Sequence, residues 1–122
     1  MPKQKLFTKE LQNQAKKFPL YSQDSKGDEA VVWAKFFHPA SRYTFFVTEM
    51  DIQRLESFGN KQYVEGTAFG YVLSPLGQDC DEWGYVDLQE LNELNVRGLS
   101  MERDMWFSSL TVGKLKEKSY RV

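Results

Sequence analysis

The sequence is poor in the residues that most often carry chemistry. It has one cysteine and one histidine in 122 residues. A single cysteine excludes an intrachain disulfide and makes a reducing cytoplasm the expected location. Together the two residues fall short of the usual ligand count for zinc. No cofactor is therefore expected.

Several familiar sequence signals are also missing. The chain contains neither G-x-G-x-x-G nor a Walker motif, so nothing indicates a nucleotide cradle. No apolar run approaches the roughly 18 residues of a membrane span. The N-terminus carries lysines but lacks the apolar stretch of a secretory signal. We expect no membrane partner.

Basic residues are scarce in the middle of the chain. Residues 1–18 carry five Lys and one Glu, a net +4, and residues 113–122 carry a net +3. The middle holds seven basic and fifteen acidic residues, a net −8, although the whole chain is −1. A protein that tracks phosphates usually has a basic body. Direct contact with nucleic acid is therefore not expected from the middle, and its aromatic residues are interpreted as core.

What the chain does have is nine Phe, six Tyr and three Trp. In Val31–Asp51, two runs of β-branched and aromatic residues flank a turn at His38–Arg42, a pattern that predicts a central β-hairpin. Further strands are predicted at Tyr63–Leu73, Glu82–Val86 and Met101–Phe107. Small residues on one side of the Tyr63–Leu73 strand indicate that something packs close there.

Helices are predicted towards the two ends of the chain. Apolar spacing from Phe7 to Phe18 predicts an amphipathic helix with Thr8 as its N-cap. A capping box that begins at Asp87 predicts a second helix over Leu88–Leu94. Asp51–Gly59 fits either a short helix or a loop.

These elements predict one α+β domain for residues 1–122. It has a mostly antiparallel sheet of about four to five strands, with the N-terminal helix and the second short helix packed on it. The core is placed at about residues 6–107, followed by a basic tail at 108–122. The polar loop at residues 22–28 is the first candidate for mobility.

An ordered set of short motifs runs through this chain. Its main members are Pro19-Leu20-Tyr21, Lys35-Phe36-Phe37, Tyr43-Thr44-Phe45-Phe46, Phe69-Gly70-Tyr71-Val72, Glu82-Trp83-Gly84-Tyr85-Val86 and Glu102-Arg103-Asp104. Over about residues 6–107 the set resembles the bacterial domain-of-unknown-function family 2958. Members are commonly carried on plasmids, phages and integrated elements, and no activity is established for them. The resemblance implies a mobile-element setting and supplies no site residues.

Five acidic residues are the candidate binding residues. Glu49 and Asp51 are two apart at a predicted strand end, and Glu102 and Asp104 repeat that spacing on the last predicted strand. If these strand ends meet near Glu82, their carboxylates would bind Mg²⁺ or Mn²⁺, or one would act as a general acid. Structural ion pairs and a helix cap at Asp51 explain the same pattern, so no residue is assigned as catalytic or metal-binding.

We therefore expect a non-enzymatic binding protein from a mobile genetic element. Its partner would be a host or element-encoded protein. An acidic surface suits an anti-defence factor that inhibits a nucleic-acid-handling protein, because complementary charge speeds and orients encounter. Two alternatives stay open. One is a metal-dependent hydrolase or nuclease built on the clustered carboxylates, and the other is a nucleic-acid binder that uses the basic termini.

Overall fold

A five-stranded antiparallel sheet forms the centre of the molecule. The computed structural model describes residues 5–122. Its strands are β1 (Val31–Val32), β2 (Ala34–Phe37), β3 (Thr44–Phe58), β4 (Lys61–Leu73), β5 (Glu82–Asp87), β6 (Asn95–Val96), β7 (Leu99–Ser100), β8 (Glu102–Arg103) and β9 (Leu110–Thr111). The main sheet has the order β5-β4-β3-β2-β8, while β1 pairs with β9 and β6 with β7. The predicted α+β class, its antiparallel sheet and its central hairpin are confirmed.

Three short helices complete the fold, and each begins at a side-chain cap. They are α1 (Lys9–Ala15), α2 (Leu88–Glu93) and α3 (Val112–Glu117). Thr8 accepts from the Leu11 N–H and Asp87 from the Glu90 N–H, as the sequence predicts. α1 ends before the predicted Phe18, whose ring turns inward and stacks on Trp33 with centroids 5.8 Å apart. Among residues 5–122, no helix has the length and apolar content needed to cross a bilayer.

The sheet buries side chains on both faces. One face packs against α1 and α2 through a cluster that includes Leu11, Phe45 and Leu91. The opposite face carries Phe46, which packs with Leu115 of α3. The segment after residue 107, which the sequence analysis placed outside the core, therefore contributes to a second hydrophobic cluster.

The prediction for Asp51–Gly59 is wrong, because β3 continues to Phe58 and pairs with β4 from Lys61 onwards. Gly59 has φ +62 and stands first in a two-residue turn with Asn60. A type II′ hairpin turn requires positive φ at that position. The backbone pairing of two long strands therefore outweighs the local preference of residues 51–58.

The last predicted strand is also shorter than expected. Only Glu102–Arg103 of Met101–Phe107 is strand, paired with Phe36 and Phe37 of β2. Beyond it the Asp104 carboxylate accepts a hydrogen bond from the Trp106 N–H at 2.9 Å, which turns the chain away from the sheet. A side chain that satisfies its own neighbouring backbone competes with the ladder.

Close packing was predicted on the face of β4 that carries small residues, and the structure shows it at Gly70. A Cβ added there would lie 1.9 Å from the Phe46 carbonyl oxygen and 2.9 Å from the Phe45 ring. The clash involves backbone of the neighbouring strand, which a rotamer change does not relieve. The close approach of β3 and β4 at Gly70 therefore leaves no room for a side chain there.

We expect Gly70→Ala to lower the free energy of unfolding by about 2 kcal/mol or more, since overpacking forces the backbone to shift. Gly84→Ala is the matched control, because a Cβ at Gly84 meets nothing within 4 Å. That variant should stay within about 0.5 kcal/mol of the parent protein. Urea unfolding followed by circular dichroism measures both. Equal losses for the two variants would contradict the close approach.

Candidate functional site

A buried carboxylate lies at an irregularity in β3. The pairing of β3 with β4 shifts register between Val47 and Glu49, which leaves Thr48 as the extra residue of a bulge. The Glu49 side chain is 2% exposed. Its two oxygens accept hydrogen bonds from the Tyr21 N–H at 2.8 Å and the Gln23 N–H at 2.9 Å. Glu49 therefore fixes the path of the chain that enters the loop at residues 22–28.

Gln23 ties the same loop to the bulge. Its amide nitrogen donates to the Thr48 carbonyl at 2.6 Å and to the Val31 carbonyl at 2.9 Å, and its oxygen accepts from the Val31 N–H at 2.6 Å. The Trp33 indole N–H also donates to the Thr48 carbonyl, at 2.8 Å. Asp51 accepts from the Leu20 N–H at 3.2 Å. The side chains of Glu49 and Asp51 therefore hold the backbone of residues 20–23 in place through hydrogen bonds.

Aromatic rings line the neighbouring strands. Phe69 pairs with Tyr85 and Tyr71 with Trp83 across β4 and β5, so all four side chains share one face of the sheet. The Phe69 centroid lies 4.8 Å from that of Tyr85 and 5.9 Å from that of Trp83. Tyr21 adds a further ring, 6.5 Å from Tyr85.

Three of these rings remain accessible. Tyr21 is 64% exposed, Tyr85 56% and Trp83 37%. We call Tyr21, Trp83 and Tyr85 the aromatic surface. Isolated exposed apolar residues are normal in proteins, whereas a contiguous group marks an interaction site.

A cleft of about 280 Å³ lies where this surface meets the loop and α3. Phe69, Trp83 and the buried Glu49 line this cleft. At the rim the Lys116 ammonium pairs with the Asp28 carboxylate at 2.7 Å, while Asp24 makes no side-chain hydrogen bond or ion pair within residues 5–122. Three carboxylates against one ammonium give the lining a net charge of −2. We call this the aromatic–acidic cleft, defined by Asp24, Asp28, Glu49, Phe69, Trp83 and Lys116.

The Tyr85 phenol reports the local electrostatics. Partial desolvation raises its pKa above the ordinary value of 10.0, and the Tyr21 hydroxyl and the charges of Asp24 and Glu49 raise the pKa further. The phenol therefore stays neutral at physiological pH. Its neighbourhood favours positive over negative charge.

The five predicted acidic residues do not form one cluster. Glu102 pairs with Phe37, which also pairs with Thr44. Glu49 stands five residues further along β3 than Thr44, a separation of about 15 Å along the strand. Asp104 instead pairs with the Lys35 ammonium at 3.6 Å.

Glu82 lies at the other edge of the sheet. It belongs to β5, whereas Glu102 belongs to β8, and three strands separate these edges. At the usual strand spacing the two edges are about 19 Å apart. No group of three or more metal-ligating side chains occurs among residues 5–122. The convergence that the metal-site alternative requires is therefore not found in this part of the chain.

The single histidine serves the fold. His38 is 2% exposed. Its Nδ1 accepts from the Ala40 N–H at 3.2 Å, so Nε2 carries the proton and donates to the Leu99 carbonyl at 3.0 Å. Cys80 is exposed in a short 3₁₀ turn.

Sequence reasoning missed the aromatic–acidic cleft. It interpreted the aromatic residues as core, and Gln23 had no distinguishing signal in a polar loop. One signal was available, since Phe69 and Tyr71 alternate on one strand as Trp83 and Tyr85 do on the next. In a half-covered sheet such alternation places rings on the open face.

We expect Glu49→Gln to lower the free energy of unfolding by about 1–3 kcal/mol, because the new amide NH₂ faces a backbone N–H that loses its acceptor. The matched control is Glu82→Gln, which changes an exposed carboxylate in a neighbouring part of the sheet and should stay within about 0.5 kcal/mol. Chemical denaturation measures both variants. Hydrogen exchange at the amides of Tyr21 and Gln23 should also accelerate in Glu49→Gln. Unchanged exchange there would contradict the assigned role.

Comparison with known proteins bears on the family and not on the activity. No curated protein and no solved structure gives a significant match. A family model described as "Protein of unknown function (DUF2958)" matches residues 4–114. That range includes every strand of the fold and every residue of the cleft except Lys116. Because the match spans nearly the whole chain, the protein belongs to the DUF2958 family, as the motifs indicate.

Proposed function

We propose that this protein is a non-enzymatic binding protein of a bacterial mobile genetic element. It acts as an anti-defence factor that inhibits a host nucleic-acid-handling protein. The observation that carries the proposal is the aromatic surface, three contiguous and accessible rings beside an acidic cleft. The mobile-element setting is what the family resemblance implies.

The composition of the aromatic surface suits a protein interface. Trp and Tyr supply large, rigid contact areas and are enriched among the residues that dominate binding energy. Tyr21 and Tyr85 each expose more than half of their surface. Burial of these rings against a partner would remove apolar area from water, which is the main favourable term in association.

The acidic charge of the middle of the chain indicates the type of partner. Residues 19–112 carry a net −8. An acidic surface is attracted to a basic groove. Grooves that bind nucleic acid are basic because they neutralise phosphates. A protein seated in such a groove would exclude the nucleic acid.

The candidate carboxylates contribute unequally to this surface. Glu82 is exposed on the edge strand β5 and stays a proposed binding residue. Glu49 and Asp51 support the surface by holding the chain at residues 20–23. Glu102 and Asp104 lie at the opposite edge and are proposed only for a partner that spans the sheet.

The test begins with affinity capture from host lysate at moderate salt, followed by purification of the captured protein. We expect a nucleic-acid-binding protein whose DNA or RNA is displaced by this chain in a competition assay. The double variant Tyr21→Ala/Tyr85→Ala should weaken binding by about tenfold or more, since each ring is a central contact. Trp106→Ala is the control, because Trp106 is 93% exposed but belongs to the β8 side of the sheet.

Two results would contradict the proposal. One is a purified partner that binds this chain and nucleic acid simultaneously without competition. The other is an equal loss of affinity in Trp106→Ala and in the double tyrosine variant. Far-ultraviolet circular dichroism of each variant confirms that the fold is retained.

A further inference from the structure

We infer that the aromatic–acidic cleft binds an arginine side chain supplied by the partner. The inference rests on the proposed function for the source of the arginine. It concerns the cleft, however, and not the rings of Tyr21 and Tyr85, which do not line it.

The Glu49 carboxylate has no counter-ion among the described residues 5–122. Glu49 is 2% exposed, and within residues 5–122 its oxygens meet only backbone N–H groups. An ionised carboxylate has about four acceptor sites, so two backbone donors leave capacity for further positive charge. Buried charge is costly when no opposite charge compensates it. A cation in the cleft above Glu49 would supply that compensation.

The rim of the cleft keeps negative charge that its own cation does not neutralise. Lys116 already pairs with Asp28 at 2.7 Å, which shows that the rim accommodates a cation. Asp24 is exposed and makes no ion pair within the described part of the chain. The negative lining disfavours a phosphate or another anion. Asp24 is thus the group that would hydrogen-bond an incoming cation directly.

The flat rings of Phe69 and Trp83 favour arginine over other cations. The Phe69 and Trp83 rings are nearly parallel, with an interplanar angle of 16°, and Trp83 leaves 37% of its surface open. A planar guanidinium stacks on an aromatic face and still presents its N–H fork to a carboxylate, whereas an ammonium is a compact point charge. The cleft of about 280 Å³ is at the small end of ligand pockets, which suits one long side chain.

The probe is N-acetyl-arginine methylamide, titrated into the intact protein and followed by ¹H–¹⁵N NMR. N-acetyl-citrulline methylamide is the matched neutral probe, because it keeps the shape of arginine without its charge. N-acetyl-lysine methylamide and adenosine test a generic cation and base stacking. We expect saturable shifts at the Asp24 amide and the Trp83 indole, with affinity for arginine about fivefold or more above that for citrulline and lysine.

Two variants locate the site. Asp24→Asn should weaken the arginine probe about threefold, as loss of one exposed ion pair does. Trp83→Leu should weaken it about fivefold through loss of the stacking face. Glu10→Gln is the control and should change nothing, because Glu10 is exposed on α1, which packs on the opposite face of the sheet. Equal binding of citrulline or lysine, or tighter binding of adenosine, would overturn the inference, as would an unaltered affinity in both cleft variants.

Variants of the aromatic surface and of the cleft test the proposed function and this inference separately. Tyr21→Ala/Tyr85→Ala should weaken binding of the purified partner far more than binding of the arginine probe, because neither ring lines the cleft. If the probe binds as expected but no nucleic-acid-binding partner is captured, the proposed function fails and the cleft assignment stands. If the partner binds Asp24→Asn as tightly as the parent protein while the double tyrosine variant binds more weakly, the proposed function stands and the partner's arginine is excluded from the cleft.

Discussion

The fold and the candidate site depend on how the Glu49 carboxylate is satisfied. A carboxylate that is 2% exposed must find strong donors, since an unsatisfied buried charge costs several kcal/mol. The bulge at Thr48 breaks the pairing of β3 with β4 at this point. The amides of Tyr21 and Gln23 supply the donors. The need of the Glu49 carboxylate for hydrogen-bond donors therefore fixes the loop and positions Tyr21. The same side chain lines the cleft.

The sequence predicted those parts of the fold in which local and long-range preferences agree. Thr8 and Asp87 were predictable as helix caps because each side-chain oxygen bonds to a backbone N–H only three residues later. Such a bond depends on the local sequence alone. The hairpin around His38–Arg42 follows from strand-forming residues on both sides of a turn. Residues 51–58 behave differently, since their polar composition fits several structures. Only the partner strand beyond Gly59 decides among those structures.

The site was less predictable for a related reason. The spacing of Glu49 and Asp51 predicts binding residues, whereas in the structure both side chains hydrogen-bond backbone N–H groups that the loop brings to them. The spacing of two carboxylates on a strand does not reveal whether they face a metal, a partner or a backbone amide. Likewise Trp83 and Phe69 have the composition of core residues. The exposure of Trp83 and Tyr85 follows from the reach of α3, which covers Phe46 and Tyr71 but leaves these two rings uncovered.

The basic and acidic segments, which are separate in the sequence, come into contact in the fold. The basic C-terminal segment is set apart in sequence, yet Lys116 pairs with the Asp28 carboxylate. Part of the acidic excess is therefore neutralised by the chain itself, at the α3 side of the cleft. Asp24 and Glu49 are not neutralised in this way within residues 5–122. The negative charge of Asp24 and Glu49, next to the open rings of Trp83 and Tyr85, supports the proposal of a basic partner, because complementary charge speeds and orients encounter.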